Sequence, residues 1–402
     1  MRSKPLLVYL CNAFEEKTCR ERGINSDSPA ASKKVFQISA ALKSKGVSTI
    51  VLSMGRGRQN GTWSWHPAKI VRFEQNVMVY APYFDAPILT HLVSLIGLAI
   101  VIWRFKWAKN NLIAFLAYNR LPYYLVSLIF ARIIGAKCFL DLEDGDILTR
   151  RFGLKYLIKK AHIWSIDFLC NAGTILATSS LSKYSVQKNT LCCYGVSKAY
   201  SIKKIDWNDK LQIHLGGTLE YSTGANLFID AVKILRKKAS KDLLNVEFVV
   251  TGKGVMAEDI NALTRSDEPP LVKYFGSVSN REYEHLKEAS HIGLCLKLGT
   301  STLGDSTFPS KVIDITSSGL CLFTTRVSDV PKIFSNDEVI YLKDEDPETL
   351  ANTVLWALKN KNQIKEFAKK GQTKALKICS QDSVGDELKK FLFPMGRSSI
   401  NN

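Results

Sequence analysis

Continuous apolar runs alternate with amphipathic stretches along the chain, and that alternation predicts its elements. LLVYLCN (6–12) reads as a buried strand, SPAASKKVFQISAALKSKG (28–46) as a helix and VSTIVLSMG (47–55) as the next strand. Ser28 suits the N-cap, Pro29 the first helical position, where no N–H is needed, and Gly46 the stop. Strands that are apolar without a break, joined through a helix, form the βαβ unit of a doubly wound parallel sheet. The same grammar continues through LIAFLAYN (112–119), a helix over YYLVSLIFARIIG (123–135), KCFLDLED (137–144), TILATSS (174–180) and TLCCYGV (190–196). A new series opens at LQIHLGGTL (211–219) and runs through NLFIDAVKILRKKA, VEFVVTGKG, LVKYFGSV, REYEHLKEA, HIGLCLKLG and KVIDITSSG to LCLFTTR (320–326). Two series joined near residues 200–210 predict an α/β chain with two Rossmann-like domains facing each other across a cleft. Their expected bounds are 1–205 and 206–380, with 381–402 as a C-terminal helix and tail packing back on the first domain.

One stretch departs from this grammar. Residues 86–109, APILTHLVSLIGLAIVIWRFKWAK, carry an apolar run of about 18 residues that ends in Arg104, Lys106 and Lys109 among two tryptophans. Three readings stand: a helix buried on the sheet, a helix with one face pressed into lipid, and a membrane span. His91 within it is read as an incidental or hydrogen-bonded residue rather than a ligand.

Charge separates the two halves. The formal net charge of +18 lies wholly in residues 1–205, with 29 Lys and Arg against 11 Asp and Glu, while residues 206–402 hold 26 of each. A basic domain joined to a neutral one points to an anionic partner for the first. Nucleic acid is disfavoured, because no helix-turn-helix, zinc or aromatic-basic motif accompanies the charge. The nine cysteines form no C-x-x-C pair and several lie inside apolar strands, as expected of reduced, buried thiols in a cytoplasmic protein. The N-terminal apolar run is short, interrupted by Asn12 and followed by acids, so it reads as a strand rather than a signal peptide.

Candidate chemistry gathers at strand ends of the second half. Gly216 and Gly217 follow one strand, and Gly252 and Gly254 flank Lys253 after another. Glycines there admit close backbone approach by a phosphate, which predicts a nucleotide-diphosphate site. In FPSKVIDITSSG (308–319), Pro309, Ser310 and Lys311 open a helix toward phosphate oxygens, and Asp314, one turn on, is placed to accept hydroxyls of a ribose or sugar. The plainer reading of Lys311 and Asp314 is a helical ion pair, worth a few tenths of a kcal/mol.

The ordered segments GGTLEYSTGANLFIDAVKIL, FVVTGKG, YFGSVSNREYEHLKEASHIGLCL, FPSKVIDITSSGLCLFTTRVSDVPKIF and DPETLANTVLWAL resemble the C-terminal half of retaining, nucleotide-sugar-dependent glycosyltransferases of family 4, which have the GT-B fold. The resemblance spans most of residues 210–360, and NTLCCYGVSKAY (189–200) resembles the segment closing the family's N-terminal domain. It implies that Asp314 matches the second carboxylate of an E-x7-E element, which binds the donor ribose, while Ser306 stands where the first belongs, next to Asp305. The family's diphosphate-clamping Arg and Lys fall on Thr218 and Thr223, leaving Lys253 and Lys311 as the cations placed to compensate. It also puts Glu143 and Asp144 where the family often keeps a catalytic His-Asp pair, to hold sugar hydroxyls or steady an oxocarbenium-like transition state. Asp144-Gly145-Asp146 spells the D-x-D of another glycosyltransferase fold but reads here as a turn, and no metal or other cofactor is expected. The resemblance places Ala30, Ala31 and Ser32 where the family often carries paired glycines near the donor phosphate and the acceptor, with Lys33 and Lys34 beside them to favour an anionic headgroup.

The implied activity is transfer of a sugar from a nucleotide diphosphate sugar to a polyprenyl-diphosphate-linked glycan, in capsule- or O-antigen-type polysaccharide synthesis. The enzyme would sit peripherally on the anionic inner face of the plasma membrane. A catalytically silent GT-B scaffold is the alternative, resting on Thr218, Thr223 and Ser306. An epimerase or phosphorylase on the same fold suits the membrane-like first half poorly.

Overall fold

The structure, a computed structural model, describes residues 4–24, 29–57, 62–73, 76–86, 88–104, 112–143, 153–197, 207, 210–299 and 306–394. The chain divides into one compact unit of Met1–Val196 with Gln381–Asn402, and another of Ser197–Ser380.

In the first unit the elements run β1 (Pro5–Cys11), α1 (Glu16–Glu21), α2 (Pro29–Ser44), β2 (Ser48–Ser53), β3 (Trp65–His66), β4 (Lys69–Phe73), β5 (Asn76–Tyr80) and β6 (Tyr83–Phe84). There follow α3 (Leu89–Arg104), β7 (Leu112–Tyr118), α4 (Leu125–Ile133), β8 (Lys137–Leu142), α5 (Leu154–Leu169), β9 (Gly173–Leu176) and β10 (Thr190–Cys192). Eight strands form one sheet in the order β10-β9-β8-β7-β1-β2-β5-β4, parallel except for the β4 edge, which runs antiparallel to β5. Helix α2 closes as expected: Gly46 takes φ +76 and the Val47 N–H returns to the Leu42 carbonyl. Ser28, the expected N-cap, lies outside the described residues.

Each face of this sheet has its own core. Leu7, Tyr9, Ile38 and Leu42 lie in the core that α2 covers, whereas Val8, Leu10, Leu98, Leu128 and Ile166 lie in the core that α3, α4 and α5 cover. Helix α3 spans 16 residues, and no described helix is long and apolar enough to cross a membrane, so the span reading of residues 86–103 gives way to a helix lying on the sheet. His91 is hydrogen-bonded, its Nδ1 lying 2.7 Å from the Tyr123 hydroxyl.

In the second unit β11 (Leu211–Thr218), α6 (Ala225–Lys238), β12 (Val246–Lys253), α7 (Ala257–Leu263), β13 (Leu271–Tyr274), α8 (Asn280–Glu288) and β14 (Ile292–Cys295) come first. Then follow α9 (Lys311–Ser317), β15 (Cys321–Thr324), α10 (Val330–Ile333), β16 (Ile340–Tyr341), α11 (Pro347–Lys359) and α12 (Lys361–Cys379). All six strands are parallel, in the order β13-β12-β11-β14-β15-β16. The strand order reverses direction between β11 and β14, which leaves a crevice at their carboxyl ends.

The last helix, α13 (Gln381–Leu392), belongs to the first unit. It inserts Val384, Leu388 and Leu392 into the core under α2, while Lys45 reaches Asp382 at 3.1 Å and Asp386 at 3.0 Å. The apolar side chains carry most of this docking, because the exposed ion pairs contribute little. Leu388→Ala should therefore cost about 2–5 kcal/mol, measured as a lower urea midpoint, whereas Asp382→Ala should leave that midpoint nearly unmoved.

Candidate active site

In the second unit the polar residues collect at the β11/β14 crevice. Strand β11 ends in Gly216-Gly217-Thr218, and Gly217 pairs in register with Gly252 of β12. Gly217 has φ +116 and Gly252 φ +128, and a Cβ built on Gly252 would stand 1.7 Å from the Gly217 carbonyl oxygen, so only glycine lets these strand ends close. A Cβ on Gly217 would meet Lys311 Cε at 2.2 Å and Nζ at 2.6 Å: the lysine lies along backbone left bare by the missing side chain.

Lys311 starts α9, and its Nζ stands 5.4 Å from the centre of the Tyr283 ring. Asp314, one turn later, accepts from the Tyr283 hydroxyl and from Lys287 Nζ, both at 3.1 Å. Lys287 is fully buried and also pairs with Glu284 at 2.9 Å. Burying an ammonium is tolerated here because two carboxylates meet it. His214, buried on β11, lies 3.0 Å from the Thr251 hydroxyl. Burial, then the Lys311 and Lys287 charges, push its pKa down to about 4 against the partial opposition of Asp314, so the ring is neutral at pH 7.

The remaining expected donor residues take different places. Thr223 is committed to the turn that opens α6: its hydroxyl accepts from the Glu220 N–H at 3.1 Å and donates to the Thr218 carbonyl at 2.7 Å. Thr218 and Lys253 are exposed at the ends of β11 and β12. Ser310 is exposed, has helical dihedrals and makes no side-chain cap, and α9 is only seven residues long, so the Lys311 ammonium supplies more of the local positive potential than the helix end does. Ser306 Oγ is buried and has no hydrogen-bond partner among the described residues, and Asp305 lies outside them.

The first unit holds a second cluster at strand ends. Tyr9 of β1 donates its hydroxyl to Asp141 Oδ2, and Lys34 of α2 contacts Asp141 Oδ1 at 2.9 Å and Glu143 Oε1. The Glu143 N–H donates to Asn119 Oδ1 at 2.8 Å, which holds the residue just beyond β8. Burial alone would lower the Lys34 pKa, but the Asp141 and Glu143 charges hold it well above 10.5. The expectation that Lys34 faces an anionic headgroup is thus corrected: the side chain turns inward, since Asp141 is fully buried and needs the cation. Lys33 is exposed. Ser32 is buried and accepts the Phe14 N–H at 3.1 Å, tying α2 to the loop after β1, with Ala31 half-buried beside it. Asp144 and Asp146 lie outside the described residues.

Sequence reasoning thus placed Gly217, Gly252, Lys311 and Asp314 in one cluster, and placed Glu143 at its strand end. It missed His214, Tyr283, Lys287 and Asp141. A signal existed for two of these: Tyr283 and Lys287 are i,i+4 on α8, a spacing that puts both on one face.

Fold and matched segment together define the class. Residues 210–360 match the family model described as Glycosyl transferases group 1. Structures similar to the whole chain have the GT-B fold, as expected from the sequence, and the matched segment makes the second unit a glycosyltransferase domain. Among them are HepE from Anabaena in complex with UDP and glucose, at 13% identity and TM-score 0.64, covering 97% of this chain and 99% of that one. The trehalose-6-phosphate protein from E. coli, bound with UDP-2-fluoro glucose, is 11% identical with TM-score 0.67, covering 97% and 99%. The sucrose-phosphate synthase of Thermosynechococcus elongatus is 10% identical with TM-score 0.65, covering 96% and 98%. No curated protein matches the sequence.

The depressed His214 pKa makes stability depend on pH. Between about 4 and 6.5 the unfolded chain binds a proton there that the folded chain refuses. The resulting stabilisation, on the order of 3 kcal/mol, is present above pH 6.5 and lost as pH falls to about 4. His214→Gln should flatten the urea-stability profile across that window, and an unchanged slope would refute the assignment.

Proposed function

We propose that the protein is a retaining glycosyltransferase of family 4 that moves a sugar from a nucleotide diphosphate sugar, with UDP the first nucleotide to test, to a polyprenyl-diphosphate-linked glycan in cell-surface polysaccharide synthesis. It would work as a peripheral enzyme on the inner face of the plasma membrane. The observation that carries the donor reading is the Lys311 ammonium laid on the bare Gly217 backbone at the β11/β14 crevice, inside the matched segment.

A diphosphate seated there meets that ammonium and the exposed strand ends at Thr218 and Lys253. The bond from the sugar's anomeric carbon to phosphate breaks as the acceptor oxygen bonds to the same face, and the acceptor proton passes to the leaving phosphate oxygen. Lys311 counters the charge that grows on that oxygen. Asp314, held in place by Tyr283 and Lys287, accepts from ribose hydroxyls. Glu143, held by Lys34, takes sugar hydroxyls. This route needs no protein nucleophile, and Lys311 supplies positive charge without invoking a metal. The silent-scaffold alternative rests on Thr218, Thr223 and Ser306, and Lys311 answers part of it by bringing a cation from another element.

Calorimetry with free nucleoside diphosphates, followed by transfer assays on a donor panel, tests the proposal. Lys311→Ala should weaken UDP binding about tenfold to hundredfold, the equivalent of one charge-assisted hydrogen bond. Glu143→Gln should leave UDP affinity intact and slow transfer by about a hundredfold. If no nucleoside diphosphate binds at millimolar concentration, the scaffold reading stands instead.

A further inference from the structure

Three neighbouring helices of the first unit, α3, α4 and α5, carry large apolar side chains on their outer faces as well as on the faces they bury. Towards the protein α3 buries Thr90, Ser94 and Gly97 along with its inner aliphatics, and α4 buries Ser127. The Ser127 hydroxyl is buried with no hydrogen-bond partner among the described residues, so a polar atom occupies a position that a large apolar side chain would fill better. Other large apolar side chains are on the outside. Leu89, Leu92, Ile96, Ile100 and Trp103 form an exposed stripe at helical spacing along α3. Ile129 and Ile133 continue it on α4, where Ile133 is 76% exposed. On α5 Leu157, Trp164 and Phe168 fall on one outward line, with the Trp164 and Phe168 rings stacked at 5.5 Å. Helix α4 packs against both α3 and α5, and Trp103 of α3 meets Phe130 of α4 at 6.1 Å, so the stripes share one surface.

Among the described residues, the exposed charges on or beside these helices have one sign. Arg104, Arg132, Lys137, Lys159 and Lys160 are exposed on or beside these helices. The sole acid on the three helices, Asp167, is buried and paired with Arg120 at 2.8 Å. Large aliphatics and tryptophans flanked by lysine and arginine, without an exposed carboxylate, match the interface of an anionic bilayer, where rings and aliphatic chains enter the acyl boundary and cations meet lipid phosphate. A second copy of this chain would bring the same positive charges face to face, which opposes self-docking.

We propose that the outer face of α3, α4 and α5 docks the protein flat on an anionic lipid surface. The inference rests on the membrane-face reading above and deepens it: sequence pointed to one helix, and the structure adds two more that make the surface broad. The helices lie in the interface and none crosses it.

Flotation of the full chain with phosphatidylglycerol vesicles, against phosphatidylcholine vesicles and across a salt series, tests the assignment. Binding to anionic vesicles at low salt, falling as salt rises, is expected. Trp164→Ser with Phe168→Ser should lower vesicle affinity about a hundredfold or more. Lys159→Gln with Lys160→Gln should lower it about thirtyfold. Both variants should keep the wild-type melting temperature and UDP affinity, and the charge variant serves alone should the aromatic one misfold. The proposal is overturned if wild-type chain ignores anionic vesicles at low salt, if both folded variants float like wild type, or if light scattering shows a dimer that the aromatic variant dissolves. UDP affinity is read separately: vesicle binding without nucleotide binding sinks the transferase reading and keeps this surface, and the reverse keeps the transferase and sinks the surface.

Discussion

Each unit of this protein holds a lysine between two carboxylates, and in each the candidate residues are arranged around that unit's own ammonium group. Lys34 lies between Asp141 and Glu143, and Lys287 between Glu284 and Asp314. A buried ammonium without partners would cost several kcal/mol, so the two carboxylates in each unit are fixed in place by the demand of the cation. That demand sets the orientation of the groups with chemistry to do. Glu143 is held by Lys34 on its side chain and by Asn119 on its N–H, and Asp314 by Lys287 on one oxygen and Tyr283 on the other. Both sites are therefore ordered by interactions that do not involve the substrate, which is the condition for electrostatic assistance without reorganisation.

The fold was legible because its strands and helices obey local rules. Parallel strands covered on both faces must be apolar throughout, and LLVYLC, AFLAY and IGLC are. The first unit's antiparallel elements were not legible. β3 and β6 have two residues each, too few for a period, and β4 alternates half-buried with exposed residues, Ile70 among the latter, in a pattern that reads as polar loop. The outward stripe of α3 was legible only as one of three readings and that of α5 was not, because only the position of the sheet tells which side of an apolar helix faces out.

The site was half legible for a related reason. Glycines at strand ends mark close approach wherever they occur, so Gly217 and Gly252 could be found locally. Partners separated by long stretches of chain could not. Lys34 meets Asp141 across 107 positions, and nothing near residue 34 tells that its side chain turns inward. Lys287 meets Asp314 across 27 positions, and its burial depends on where α8 lies against α9. His214 sits in an apolar strand as if it were simply core; its lowered pKa follows first from burial and then from the two lysines that folding brings to it.

In the donor site proposed above, the threonines at 218 and 223 leave the positive field to another element. Thr223 became part of the backbone turn before α6, so a cation there would have to displace that turn's hydrogen bonds. Lys311 comes from α9, and Gly217 gives it room to lie at the crevice. A lysine brings a point charge on a flexible stem, whereas an arginine brings a planar fork matched to two phosphate oxygens. Such a charge steadies a diphosphate with little regard to which base or sugar it carries. Discrimination among donors must then come from neutral and acidic groups with fixed geometry. At that crevice Asp314 has both carboxylate oxygens held in place, so under the proposed function the same buried lysine that stabilises the fold would also bear on which nucleotide the site accepts.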